Sequence, residues 1–113
     1  MHEMALCEGI VGIVEEEARK RAFTKVNVVC LEIGALSHVA PEALKFCFDA
    51  VASRTIAQGA RLEIVETPGT AWCMACSKTV EIGQRYEPCP SCGGHQLQVT
   101  GGEEMRVREL EVD

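Results

Sequence analysis

Seven cysteines dominate the chemistry that this sequence could perform, and four of them form two C-x-x-C pairs. The pairs are Cys73–Cys76 and Cys89–Cys92, separated by the 12 residues 77–88. Two-residue spacing lets both thiolates of a pair face one ion, and two such pairs complete the tetrahedral sulfur site that suits Zn²⁺. Four thiolates leave no open position for water, so the spacing predicts a structural zinc site in a zinc-ribbon-like module.

Two other kinds of chemistry are compatible with these pairs. The segment CPSCG over 89–93 resembles the second knuckle of rubredoxin, so iron is an alternative metal. Against iron, Ser77 rather than glycine follows the first pair, and the chain is poor in aromatic residues. Dithiol redox chemistry is the other alternative, although two pairs at this spacing favour a metal. His95 could replace a thiolate, but an exposed loop histidine is the more ordinary interpretation.

The first three residues, Met1, His2 and Glu3, offer a second kind of metal site. A free α-amine, the His2 backbone nitrogen and the His2 imidazole can form fused chelate rings, whose planar nitrogen geometry suits Ni²⁺ or Cu²⁺. Glu3 could add an oxygen ligand. A frayed terminal histidine is the ordinary interpretation of this pattern. His38, before Pro41, could be a further ligand or a plain loop residue.

The elements that position these residues can be predicted from hydrophobic periodicity. A helix is expected over 4–21, where the glycines Gly9 and Gly12 weaken it or allow another element to approach closely. Its apolar stripe is Leu6, Ile10, Ile13, Val14 and Ala18. The run 25–34 is apolar on both faces, which indicates a central strand. Pro41 suits the first turn of a helix over 41–54.

Two further strands complete the predicted fold, over 60–66 and 104–112, the latter with a bulge near Glu109. Composition changes at residue 67, and the chain is rich in Cys, Gly and Pro until the Gly101-Gly102 pair. We therefore predict an α+β fold, in which two helices and a three-stranded sheet form a domain from residues 1–66 and 101–113 that carries the candidate N-terminal metal site. The cysteine module, residues 67–100, is inserted in it. The other three cysteines, Cys7, Cys30 and Cys47, are expected on buried apolar faces.

Composition excludes several classes of protein. The chain has 113 residues, 47% of them hydrophobic and 25% charged, which is typical of a folded protein. The net charge of −6 argues against non-specific nucleic-acid binding. The sequence has neither the run of roughly 20 apolar residues that a membrane span needs nor the basic start of a signal peptide. A cytoplasmic location and no membrane insertion are expected. No Ser-His-Asp set or P-loop is found, so the chain is predicted not to be an enzyme.

Several segments together resemble the HypA/HybF family of nickel metallochaperones. They are MHEMALCEGIV at the start, LEIGALSHVAPEALKFCFDAV over 31–51, the two cysteine pairs, and EMRVRELEV near the end. The resemblance implies delivery of nickel for maturation of nickel–iron hydrogenase, with His2 as nickel ligand and Glu3 assisting it. It also implies that Cys73, Cys76, Cys89 and Cys92 bind structural zinc.

The resemblance further implies the partners of the protein. These are a hydrogenase maturation GTPase and the hydrogenase large-subunit precursor, and a homodimer is possible. Some relatives carry a histidine beside each cysteine pair, whereas this chain has only His95, so a pH-driven exchange of Cys for His ligands is not expected. The alternative function is a zinc-ribbon adaptor or nucleic-acid-binding module with no role for nickel.

Overall fold

The computed structural model describes residues 3–113, which form two helices and six strands in two sheets. The elements in chain order are α1 (Glu3–Arg21), β1 (Val26–Gly34), α2 (Pro41–Ala52), β2 (Arg61–Thr67), β3 (Gly69–Cys73), β4 (Lys78–Ile82), β5 (Leu97–Gly101) and β6 (Met105–Val112). The strand orders are β2-β1-β6 and β4-β3-β5. This arrangement confirms the predicted α+β class. Within residues 3–113, no helix is both long and apolar enough to cross a membrane.

The chain divides into two compact units. The first unit contains the chain up to Leu31, together with Val39–Ile64 and Val107–Asp113. The second unit contains Glu32–His38 and Val65–Arg106. The domain boundaries drawn from the sequence, at residues 67 and 100, stay a prediction.

The first sheet places β1 in the centre, as its apolar residues on both faces predict. Six of its nine residues are buried apolar side chains: Val26, Val28, Val29, Cys30, Leu31 and Ile33. Pro41 begins α2, as expected, because its missing N–H costs nothing in a first turn. The bulge predicted in β6 near Glu109 stays a prediction. Gly34 N–H donates to the Glu104 carbonyl, and Asp113 N–H donates to the Lys25 carbonyl.

Helix α1 buries Ile10 and Val14 as predicted, but the rest of its buried stripe differs from the prediction. The buried residues are Cys7, Ile10, Val11 and Val14, spaced i, i+3, i+4 and i+7, whereas Ile13 is 49% exposed. Gly9 and Gly12 are exposed, and an added Cβ at either position would meet nothing within 4 Å. These glycines therefore do not serve a close approach by another described element.

The second sheet belongs to the cysteine-rich unit, and the sequence analysis did not predict it. Strand β3 is central and pairs antiparallel with β4 and β5, with an irregularity in the β5 register between Thr70 and Ala71. All three strands have only five residues, too few for a clear alternation of apolar and polar side chains. The core of this unit comprises Leu36, Ala71, Cys73, Val80, Ile82 and Cys89.

Candidate metal centre

Each C-x-x-C pair lies in a turn that closes with the same backbone hydrogen bond. Ser77 N–H donates to the Cys73 carbonyl at 2.8 Å, and Gly93 N–H donates to the Cys89 carbonyl at 2.8 Å. In both turns the donor is the residue that directly follows the pair. The two turns thus share one local design, in which the first cysteine and the residue four positions later hold the loop closed.

The donor residue of each turn has a left-handed backbone. Gly93 has φ 73°, as expected for glycine, and Ser77 has φ 55°. The sequence analysis missed this role of Ser77, although its position after Cys76 matches that of Gly93 after Cys92. Because Ser77 adopts the conformation that a metal knuckle requires, the absence of glycine there no longer argues against iron.

The two turns bring the four cysteine sulfurs together. All four Sγ atoms of Cys73, Cys76, Cys89 and Cys92 lie within 4.8 Å of one another. The Cys73–Cys92 and Cys76–Cys89 sulfur distances are 3.7 and 3.9 Å. In a tetrahedral site with Zn–S bonds of roughly 2.3 Å, neighbouring sulfurs are about 3.8 Å apart. The donor set and its spacing therefore fit a tetrahedral metal ion.

Backbone donors also face the sulfurs. Cys76 N–H points at the Cys73 sulfur at 3.4 Å. The N–H group of Cys92, and next that of Ser91, lower the pKa of Cys89 to about 6, against the opposing effect of burial. Hydrogen bonds with the Cys92 and Cys73 sulfurs raise the pKa of Cys76 to about 12. Cys89 therefore ionises before Cys76, and a metal that binds all four sulfurs must displace a proton from Cys76.

The metal centre is continuous with the hydrophobic core of its unit. Cys73 and Cys89 are buried, Cys76 is half-buried and Cys92 is exposed. Leu36 packs in the same core, although it precedes β3 by more than thirty residues. The sequence analysis missed Leu36, and the only signal for it is an apolar residue two positions after Gly34. Cys73, Cys89 and the neighbouring Cys76 are thus part of the packed core itself.

Of the two histidines within residues 3–113, neither joins the cysteine group. His95 and His38 are exposed, and His38 has φ 61° in the loop after β1. In that part of the chain, the four cysteines are the one group of three or more His, Cys, Asp or Glu side chains close enough to hold an ion.

The predicted nickel ligands are described only in part, because His2 lies outside the described residues. Glu3 is half-buried in the first turn of α1. Its Oε2 atom accepts a long hydrogen bond of 3.5 Å from the backbone N–H of Ala40, the N-cap residue of α2. The structure therefore holds the Glu3 side chain at the start of α2, within the first unit, whereas the four cysteines belong to the second unit.

These features define a class: a small α+β protein that carries a four-cysteine metal-binding site. The comparison with protein families narrows it. Residues 1–112 match the HypA family, described as "Hydrogenase/urease nickel incorporation, metallochaperone". The chain belongs to the HypA family, which confirms the resemblance seen in its motifs.

Relatives and solved structures agree with this assignment. The chain is 92% identical over 113 residues to "Hydrogenase maturation factor HypA 2" of Bradyrhizobium diazoefficiens, covering all of both chains. It is 68% identical over its full length to a "Hydrogenase maturation factor HypA" of Rhodopseudomonas palustris, again covering all of both chains. It also matches the "Solution structure of the Ni metallochaperone HypA from Helicobacter pylori", with TM-score 0.72 and 26% identity over 99% of this chain and 97% of the other.

Family membership establishes the general function. The protein is a nickel metallochaperone for hydrogenase maturation with a four-cysteine metal-binding site, and it is not an enzyme. A maturation factor acts together with other components of the maturation process, so interaction with maturation partners follows.

Proposed function

We propose that this protein binds Ni²⁺ through His2 and Glu3 and delivers it to nickel–iron hydrogenase, while its four cysteines hold a structural Zn²⁺. The observation that carries the proposal is the match of residues 1–112 to a family described by nickel incorporation. The second and third residues, His2 and Glu3, offer the nitrogen and oxygen donors that a borderline divalent cation accepts.

Glu3 is suited to an assisting role in nickel binding. Its Oε2 contact with the Ala40 N–H restrains the carboxylate, and α1 begins at Glu3 itself. A carboxylate has two oxygens, so we assign Oε1 to the cation and Oε2 to the backbone of Ala40. A restrained side chain loses less conformational freedom on binding than a free one, which supports affinity at a site with few ligands.

Zinc is the metal that we assign to the cysteine site. Four thiolates at tetrahedral spacing form a closed set, and such sites stabilise the fold rather than catalyse. The proposal includes no direct role of these sulfurs in nickel transfer. Metal analysis of the purified protein tests the assignment, because iron in a four-thiolate site gives a red protein and zinc a colourless one.

The zinc-bound unit is proposed to present a surface to partners. It exposes three large apolar or aromatic side chains: Trp72 at 41%, Met74 at 59% and Tyr86 at 94%. Tyr86 also has φ 67°, in a turn where Glu87 Oε2 accepts hydrogen bonds from Gly83 and Gln84. Exposed aromatic residues on a restrained loop are common anchors of protein interfaces. The proposed partners are a maturation GTPase and the hydrogenase large-subunit precursor, in the cytoplasm.

A nickel titration of zinc-loaded protein with an untagged N-terminus tests the proposal. Three variants are compared with it: His2→Ala, Glu3→Gln, and a form with extra residues before Met1. Glu15→Gln, on the exposed surface of α1, serves as the matched control for loss of one carboxylate from the same helix. We expect about one nickel per native chain, loss of binding in His2→Ala and in the extended form, weaker binding in Glu3→Gln, and no change in the control.

The possible results discriminate clearly between the alternatives. Equal binding by the native protein and His2→Ala would move the nickel site elsewhere and refute the proposed ligand set. No binding by any form would leave the adaptor function as the better explanation of the cysteine module. A separate variant, Cys73→Ala, tests the role of the zinc unit, because normal folding and nickel transfer in it would contradict that role.

A further inference from the structure

The thiol of Cys7 touches the main chain of the neighbouring helix. Its Sγ donates to the Leu44 carbonyl of α2 at 3.4 Å, and Cys7 is fully buried. A side chain as short as cysteine reaches a facing backbone only where two helices approach closely. A disulfide needs Cα atoms roughly 4.4–6.8 Å apart, so a close approach of this kind is its first requirement.

A second thiol lies one turn further along α2. In an α-helix the carbonyl of residue i points toward the following turn, where a short polar side chain at i+3 or i+4 can reach back to it. Cys47 is at i+3 from Leu44, so it lies on the same side of α2, one turn beyond the residue whose carbonyl Cys7 contacts. In agreement, the pKa of Cys7 is raised to about 11, first by burial and next by the proximity of Cys47.

The two thiols differ in their access to solvent. Cys47 is half-buried, whereas Cys7 is closed off from water. Cys30 is buried on β1, and the four remaining cysteines form the metal centre of the second unit. Cys47 is therefore the entry point for a thiol reagent, and Cys7 is the thiol placed to respond to it.

We propose that Cys7 and Cys47 are a modification site, which a small-molecule disulfide oxidises to a disulfide bond between α1 and α2. The Cys47 thiolate attacks the reagent, forms a mixed disulfide and releases one small thiolate. That thiolate takes the proton of Cys7, and the Cys7 sulfur then attacks the Cys47 sulfur and expels the second small thiolate. Two protein thiols are oxidised, and one small-molecule disulfide is reduced to two thiols. The bond fixes the start of α1, four residues after Glu3, to α2.

A peptide-mapping experiment tests this site. Zinc-loaded protein is incubated with oxidised glutathione, its free thiols are blocked with N-ethylmaleimide, and it is digested with trypsin. Trypsin places Cys7 in residues 1–19, Cys30 in 26–45 and Cys47 in 46–54, so each thiol has its own peptide. The expected product is a cross-linked pair of peptides 1–19 and 46–54, with full zinc content. The matched control Cys30→Ala, which removes the third unpaired thiol of the first unit, should give the same cross-link. Cys47→Ala should give none.

The cross-link is the deciding observation. The Cys7→Ala variant should accumulate glutathione on Cys47, because the second step needs the Cys7 thiol. If replacement of the fully buried Cys7 prevents folding, the Cys47→Ala variant still tests the site. The proposal is overturned if the native protein stops at a glutathione adduct on Cys47, if Cys30 forms the bond instead, or if zinc is lost before any cross-link appears.

Discussion

Exchange of Ser77 and Gly93 between the two metal knuckles is a direct test of the backbone design of the site. Both residues directly follow a C-x-x-C pair, donate the closing hydrogen bond and have left-handed φ angles of 55° and 73°. Ser77→Gly should stabilise the zinc-bound protein, and Gly93→Ser should destabilise it by a similar amount. A Cβ added at Gly93 would meet nothing within 4 Å, so the effect there is a backbone effect alone.

The expected magnitude follows from two opposing terms. A residue with a Cβ in the left-handed region costs roughly 1–2 kcal/mol. Glycine, however, loses more chain entropy on folding, which costs about 0.5–1 kcal/mol. The difference leaves about 0.5–1 kcal/mol in favour of glycine at each position. Because metal binding and folding of such a unit are linked, this corresponds to a change of roughly two- to fivefold in apparent zinc affinity.

Competition with a coloured zinc chelator measures the affinity, and thermal unfolding of the zinc-loaded protein measures the stability. Shifts of about 2–4 °C in opposite directions are expected. Gly94→Ala is the matched control, because Gly94 is the neighbouring residue, lacks a left-handed φ and has ordinary room for a Cβ, 3.5 Å from the Cys92 sulfur. The double exchange of Ser77 and Gly93 should restore near-native affinity. If Gly93→Ser bound zinc as tightly as the native protein, the left-handed backbone would not be a requirement of the knuckle.

Three further outcomes follow from the structure. Gly12→Ala should raise the free energy of unfolding by about 0.5–1 kcal/mol, because a Cβ at that helical position would meet no atom within 4 Å. Gly34→Ala should lower the free energy of unfolding by about 1–3 kcal/mol or more, because its Cβ would clash with the Gly102 backbone. Denaturant titrations of both variants check the opposite signs. Removal of zinc by a chelator should abolish amide hydrogen-exchange protection of β3–β5, and unchanged protection would argue against a structural metal. Burial raises the pKa of Cys7 from 9.0 to about 11. The unfolded chain then loses this proton first, so stability should fall as pH rises from about 9 to about 11. The difference in unfolding free energy between native protein and Cys7→Ala should follow that fall, and a constant difference would contradict it.

The first unit could be predicted from the sequence to a large extent because its elements are long. The six apolar residues among the nine of β1, and Pro41 at the start of α2, are strong local signals. The face of α1 was predicted less well, since Ile13 and Cys7 compete for the stripe and only packing against α2 decides between them. In the structure Cys7 faces α2, where its thiol donates to the Leu44 carbonyl, and Ile13 is 49% exposed.

The sequence predicts which four cysteines form the site, but it does not predict the strands and backbone conformations around them. The spacing of the two C-x-x-C pairs indicates which four sulfurs meet, because a tetrahedral ion demands that pattern. The left-handed Ser77 could not be predicted from residue type, since serine rarely adopts that conformation. The three short strands of the second sheet carry too few residues for periodicity to identify them. The role of His2 remains a prediction of the sequence and of the family.

Leu36 shows why the metal unit cannot be understood as the segment 67–100 alone. Its side chain is fully buried among Ala71, Cys73 and Cys89, and its backbone N–H donates to the Gly102 carbonyl at 2.8 Å. A segment that lacked Leu36 would leave a void in the core that contains Cys73 and Cys89, and loss of a buried leucine side chain typically costs about 2–5 kcal/mol. In a unit with so small a core, that cost is comparable to its whole stability. The metal, the sheet and the loop after β1 therefore have to fold together, although the chain separates them widely.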